Sequence, residues 1–314
     1  MSEIKIACSC DNNYVPHCGA LIASVFVNNR NNKIEVNILT DGIDNENREK
    51  LNLLAKEFKQ EIKIIVVDSS LFSIFSHSKS PIKLPLQTYY RLIIPTLFKD
   101  YNKILYLDVD MIVCADLAEI WNLDLGNKAI AGVPDTAWNI APACRRLGYP
   151  LSESYYNAGF GLYNLSVMRE TNLWNKAIDM VEKSPEKLLY HDQDLLNNIY
   201  HGQFLEVSLK WNFMQTFFML EPSVVKRQKE ELEKYIHNPC IIHYTASLKP
   251  WFIECEHPYK SEYWKYLKMT PWAERKPVHI YHDLKTLLKY LHIKLVELKF
   301  YMKRDKSRII RKKL

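Results

Sequence analysis

Polar and apolar positions in the first hundred residues switch repeatedly between two periods. "IKIACSC" (4–10), "KIEVNILTD" (33–41) and "EIKIIVVDSS" (61–70) are short runs rich in β-branched residues and predict strands. Between them, "GALIASVFVNN" (19–29) reads as a helix packed on a sheet. "NENREKLNLLAKEF" (45–58) spaces Leu51, Leu53, Leu54 and Phe58 among polar residues in a helical pattern. Strands and helices in this order predict a parallel sheet wrapped by helices.

The next stretch, "QTYYRLIIPTLF" (87–98), predicts a helix carrying Arg91 and leads into "KILYLDVDMIVCADL" (103–117). Beyond it, residues 129–135 and 157–165 read as strands, 174–184 as a helix, and "FLEVSLKWNF" and "PCIIHYT" as late strands. The early part is doubly wound and the later strands are mixed. From about residue 280 the pattern changes. Leu284, Leu287, Leu288, Leu291, Leu295, Leu298 and Met302 form an apolar stripe, with Lys285, Lys289, Lys294, Lys299 and Lys303 off it. This predicts a basic amphipathic helix, suited to an anionic membrane surface or to a subunit contact. The expected division is a catalytic domain over 1–265 and a helical basic extension over 266–314.

Asp108 and Asp110 interrupt the most strand-like segment of the chain. Burying two ionised carboxylates there is costly unless something offsets their charge. They follow the predicted strand end at Leu107, where a parallel sheet opens its ligand crevice. On an extended strand both carboxylates point to one side, an arrangement suited to Mg²⁺ or Mn²⁺. The expectation is that a divalent cation, with waters or phosphate oxygens as its other ligands, meets the cost, rather than a buried Lys or Arg. A haloacid-dehalogenase-type phosphatase also places Asp-x-Asp after an apolar run. It does so in the first strand, with a small or hydroxyl residue next, whereas here the strand is about the fourth and Met111 follows.

Composition removes several classes. The 314 residues hold 8 Gly, and no glycine-rich phosphate loop of the GxGxxG or GxxxxGK[ST] kind occurs. Seven Cys without paired zinc spacing suit a reducing compartment, and Cys8 and Cys10 read as buried thiols. "MSEIKIACSC" does not read as an export signal, and no apolar run reaches the length of a membrane span. A cytoplasmic, peripherally attached protein is expected. The net charge of +6 is uneven: residues 299–314 carry eight Lys/Arg and one Asp. The rest of the chain is therefore close to neutral, and no nucleic-acid recognition motif accompanies the tail.

Five motifs then occur in order: "SCDNNYVPH", "LDVDMIV", "YYNAGFGLYNL", "YHDQDLLN" and "IIHYTASLKPW". From roughly residue 4 to 255 the chain resembles the family 8 retaining glycosyltransferases. These include bacterial lipopolysaccharide galactosyl- and glucosyltransferases and glycogenin. The resemblance implies an α/β GT-A-type nucleotide-diphosphosugar transferase fold with a doubly wound mixed sheet. It implies Mn²⁺ (with Mg²⁺ the alternative) bound by Asp108, Asp110 and His243, and UDP-galactose or UDP-glucose as donor. Lys249 resembles the basic residue at the donor diphosphate. Ser9, Asp11 and Asn13 match the nucleoside-reading loop, and Val109 lies within the Asp-x-Asp motif. Arg91, Asn157, Ala158, Asp192 and Gln193 match positions around the donor sugar. Lys83 stands where one branch has His, and Ala246 where that branch often has Gly.

By the same resemblance Gln193 corresponds to the position beneath the reacting carbon, and an amide is a poor nucleophile. The resemblance therefore implies a same-face substitution, with Asp192 as the alternative nucleophile. The expected activity is transfer of a hexose to lipopolysaccharide or another cell-surface glycan. The alternatives are a glycogenin-like self-glycosylating enzyme and a non-catalytic sugar-nucleotide binder. Acceptor contacts are expected from 136–156 and 210–230.

Overall fold

The computed structural model describes residues 2–77, 80, 84–219, 228–245, 247–281, 286–288, 291 and 295. Among these, seven strands form the main sheet. They are β1 (Glu3–Ser9), β2 (Lys33–Thr40), β3 (Glu61–Val66), β4 (Lys103–Leu107), β6 (Ile130–Gly132), β7 (Phe160–Asn164) and β8 (Phe204–Glu206). A second sheet holds β5 (Met111–Val113), β9 (Phe213–Met214) and β10 (Ile241–His243). The main sheet runs β3-β2-β1-β4-β7-β6-β8. β1, β2, β3 and β4 are parallel, while β7 is antiparallel to both β4 and β6. The expected doubly wound mixed sheet is therefore present.

The helix Val15–Asn28 is buried over nearly its whole length, which explains its apolar sequence. The helix Asn45–Phe58 buries only Leu51 and Leu54, and Asp44 caps it by accepting the Asn47 N–H. Residues 87–98 differ from the expected single helix. A 3₁₀ helix, Leu86–Ile93, passes into one short α turn, Ile94–Leu97, with Pro95 at its start. The helix Ala137–Leu147 was not expected. It contains Pro142, which masks a helical pattern, and ends on Gly148 in the left-handed conformation.

The chain stays attached to the domain beyond residue 265. Trp272 is buried, packs its ring over Gly19 and donates from Nε1 to Asn47 Oδ1 at 3.1 Å. A Cβ on Gly19 would lie 2.6 Å from that ring, so the close approach requires glycine. Lys83, Ala246 and most of the expected basic helix lie outside the described residues.

Candidate active site

Strand β4 ends at Leu107, β5 begins at Met111, and Asp108, Val109 and Asp110 form the turn between them. The two carboxylates thus converge through a turn, not along an extended strand as the spacing suggests. The Asp108 N–H donates to Gly159 O at 2.8 Å, tying the turn to the start of β7. The Tyr244 N–H donates to Asp110 O at 3.0 Å, tying it to β10. Because β10 pairs antiparallel with β5, His243 lies opposite Met111. That register brings His243 Nε2 to 3.3 Å from Asp110 Oδ1 and 3.9 Å from Asp108 Oδ2.

Asp108, Asp110 and His243 each offer one ligand atom, and these atoms lie within 4.8 Å of one another. Two carboxylate oxygens and an imidazole nitrogen suit Mn²⁺ or Mg²⁺. The backbone fits a cation at this point as well. A Cβ on Gly159 would stand 2.3 Å from His243 Cε1 and 2.7 Å from Asp108 Oδ2. Only the missing side chain leaves the centre open.

Protein cations also meet these carboxylates, contrary to the sequence expectation. Arg91 is buried and donates from Nη2 to Asp108 Oδ1 at 2.7 Å. Its Nε lies 2.9 Å from Asp192 Oδ2, and Nη1 donates to Ala158 O. Lys249 Nζ reaches Asp110 Oδ2 at 2.5 Å and Tyr244 O at 2.6 Å. The sequence concealed these pairs because Arg91 and Lys249 are distant from the Asp-x-Asp motif along the chain. Asp108 and Asp192 thus share Arg91, while Asp110 pairs with Lys249.

Burial works against the charge of Asp110, but the positive charge of Lys249 outweighs it and holds its carboxyl below the usual range. For Asp192 burial prevails over Arg91 and pushes the carboxyl up to about 7. Arg91 is stabilised as a cation by Asp108 and Asp192 despite its burial.

A cleft of about 360 Å³ opens on this centre. Ser9, Asp11, Arg91, Asp108, Val109, Asp110, Asn157, Ala158, Asp192, Gln193, His243 and Lys249 all line it. Asp11 caps the turn after β1 by accepting the Tyr14 N–H at 2.9 Å, and Ser9 Oγ lies 2.9 Å from Tyr106 Oη. Asn13 is exposed on that same turn and is not part of the lining. Gln193 Nε2 donates to Asp135 Oδ2 at 2.8 Å, and its Oε1 accepts from Ala158 N at 3.0 Å.

Asp192 and Gln193 open the helix His191–Ile199, whose position depends on Asp194. Asp194 is fully buried and accepts from both Arg146 Nη atoms, from Tyr155 Oη and from Tyr190 N. Arg146 belongs to the helix Ala137–Leu147, so one ion pair joins the two helices. Sequence reasoning missed Tyr14, Thr88, Gly159 and Thr245 in the lining, and Asp135 and Asn212 behind it. The "NAG" of residues 157–159 held a signal for Gly159, since glycine beside an acidic turn marks a close approach.

The charged cleft lies at the carboxyl edge of the parallel strands, where sheets of this α/β class bind small ligands. Residues 5–255 match "Glycosyl transferase family 8", and the chain belongs to that glycosyltransferase family. General stress protein A of Bacillus subtilis is 29% identical, over 86% of this chain and 95% of that protein. The lipopolysaccharide 1,3-galactosyltransferase of Salmonella typhimurium is 28% identical, over 86% and 80%. Among solved structures, the galactosyltransferase LgtC with donor and acceptor sugar analogs superposes with a TM-score of 0.76. It is 24% identical and covers 86% of this chain and 96% of its own, a likeness of fold.

Proposed function

We propose that the protein moves galactose or glucose from a UDP-sugar to a hydroxyl of a glycan acceptor, with retention of anomeric configuration. The acceptor is lipopolysaccharide or another cell-surface glycan. The observation that carries this reading is the meeting of Asp108, Asp110, His243 and Lys249 in the same cleft as Asn157, Asp192 and Gln193.

In this reading Asp108, Asp110 and His243 hold Mn²⁺ or Mg²⁺. A cation held there would supply positive charge to offset that of the donor diphosphate. Lys249 adds a point charge at the same phosphates. Asp11 and Ser9, with Asn13 beside them, face the nucleoside, and Arg91, Asn157 and Ala158 border the sugar. Lys83 and Ala246 remain donor-site candidates on the strength of the resemblance.

Gln193 presents an amide whose ends are both engaged, so it positions and does not attack. Asp192 is 4% exposed and directs a carboxylate oxygen at Arg91, which suits a supporting charge better than a nucleophile. The bond from the anomeric carbon to phosphate oxygen therefore breaks as the acceptor oxygen bonds on the same face. The departing phosphate takes the acceptor's proton, and the nucleoside diphosphate leaves.

Attachment of the basic tail to an anionic inner membrane face completes the proposal. No described helix is long and apolar enough to cross a membrane. Leu288, Leu291 and Leu295 are 58%, 46% and 55% exposed, as a lipid-facing stripe requires.

A UDP-sugar panel with Mn²⁺, scored by hydrolysis without acceptor, tests the donor. Hydrolysis of UDP-galactose or UDP-glucose with an α-configured product is expected. The enzymatic reading is abandoned if no donor is hydrolysed and Asp108→Ala leaves donor affinity unchanged. Mass gain of the protein itself with UDP-glucose would favour self-glycosylation instead.

A further inference from the structure

Behind the proposed metal centre, side-chain amides form an unbroken line of hydrogen bonds. It starts at Asp135 Oδ2, which accepts from Gln193 Nε2 at 2.8 Å. Gln193 Oε1 accepts from Asn157 Nδ2 at 3.1 Å. Asn157 Oδ1 accepts from Asn212 Nδ2 at 2.9 Å. Asn212 Oδ1 then lies 2.8 Å from His243 Nδ1.

Every amide in this line has one permitted orientation. Backbone N–H groups are unambiguous donors, and Ala158 N reaches Gln193 Oε1 at 3.0 Å. Gly159 N likewise reaches Asn157 Oδ1 at 3.1 Å. With the Asn157 oxygen fixed, Asn212 must turn its NH₂ toward it and its oxygen toward His243. An amide oxygen only accepts, so Nδ1 of His243 must carry a hydrogen. In the neutral ring Nε2 then holds a lone pair, directed at Asp108 and Asp110.

We infer that Asn212 is a positioning residue that sets the His243 tautomer and ring orientation, so that Nε2 is presented as a ligand; this rests on the metal reading above. Asn212 is fully buried and lies just before β9. Parallel pairing of β9 with β10, with His243 opposite Met214, holds it beside the ring. A partner of this kind raises ligand basicity and removes the need to reorient the ring on binding.

The test uses the full chain labelled with ¹⁵N, metal-free, at about pH 9, where an ordinary histidine is neutral. A long-range ¹H–¹⁵N correlation, assigned with His243→Gln, reads the tautomer. The expected result is Nδ1–H for His243, and Nε2–H overturns the inference. In Asn212→Leu the preference for Nδ1–H is lost, and Mn²⁺ affinity by electron paramagnetic resonance weakens about 10- to 100-fold; a change under about twofold overturns the inference. If Asn212→Leu fails to fold, the wild-type tautomer decides alone. If the wild type binds no Mn²⁺, the metal reading fails, while the tautomer still decides the role of Asn212.

Discussion

Gly159 lies so close to the ring of His243 that a Cβ there would come within 2.3 Å of Cε1. The same atom would stand 2.7 Å from Asp108 Oδ2, and both neighbours are held by further bonds. Gly159→Ala is expected to separate the ligands while leaving the sheet intact. Mn²⁺ affinity should fall about 10- to 100-fold, as when a ligand's support is lost, with an unchanged circular dichroism spectrum. Unaltered affinity would mean the turn yields more readily than its bonding indicates.

Arg91 is the second point of dependence. Replacing it with Met strands Asp108 and Asp192 without their buried cation, a change that costs about 3–5 kcal/mol in comparable cases. Urea unfolding should show that loss, and Arg91→Lys should recover only part, because an ammonium cannot meet Asp108, Asp192 and Ala158 O at once. A midpoint equal to wild type in Arg91→Met would remove Arg91 from the framework.

Lys249 competes with any cation for Asp110 Oδ2, since its Nζ already sits there at 2.5 Å. Lys249→Met should therefore bind Mn²⁺ at least as tightly as wild type. Turnover should nonetheless drop about 100- to 1,000-fold, the usual effect of losing a charge at a leaving group. Parallel titration and kinetics separate the two quantities. A joint fall in both would place Lys249 in metal binding instead.

Acid stability depends on a site far from the cleft. Glu35 is buried on β2 and is bound by Lys5, Lys63, Tyr101 and Asn37. Burial raises its carboxyl, but these partners outweigh it and bring it down to about 2, from 4.5. A depressed carboxyl stabilises the fold above its unfolded value and loses that contribution as pH falls through the folded one. Wild type should thus lose about 2–3 kcal/mol more than Glu35→Gln between pH 4.5 and pH 2. Parallel denaturation curves at both ends of that window would contradict it.

How much of this was legible in the sequence follows from element length. β1, β2 and β3 with their intervening helices have 6 to 14 residues each, enough for a period to repeat. β5, β9 and β10 have two or three residues and no period to read, yet they deliver His243 to Asp110. The line of motifs compensated at the level of residue identity, naming Asp108, Asp110, His243, Gln193 and Lys249. It did not reveal that Arg91 and Lys249 already neutralise the acidic pair. Nor did it point to Asn212, because an amide's partner is a property of register and not of composition.

The buried edge at Trp272 has a consequence for biosynthesis. The helix Val15–Asn28 leaves the ribosome well before Trp272, whose ring covers its Gly19 from more than 250 residues further along the chain. His243 follows Asp110 by 133 residues, so the acidic pair likewise emerges long before its third partner. Translation therefore produces a nearly complete early sheet with an open flank and an unfinished acidic turn. The acidic turn gains His243 and Lys249 only once β10 and the residues just after it are added, and chains interrupted before β10 should bind neither cation nor donor.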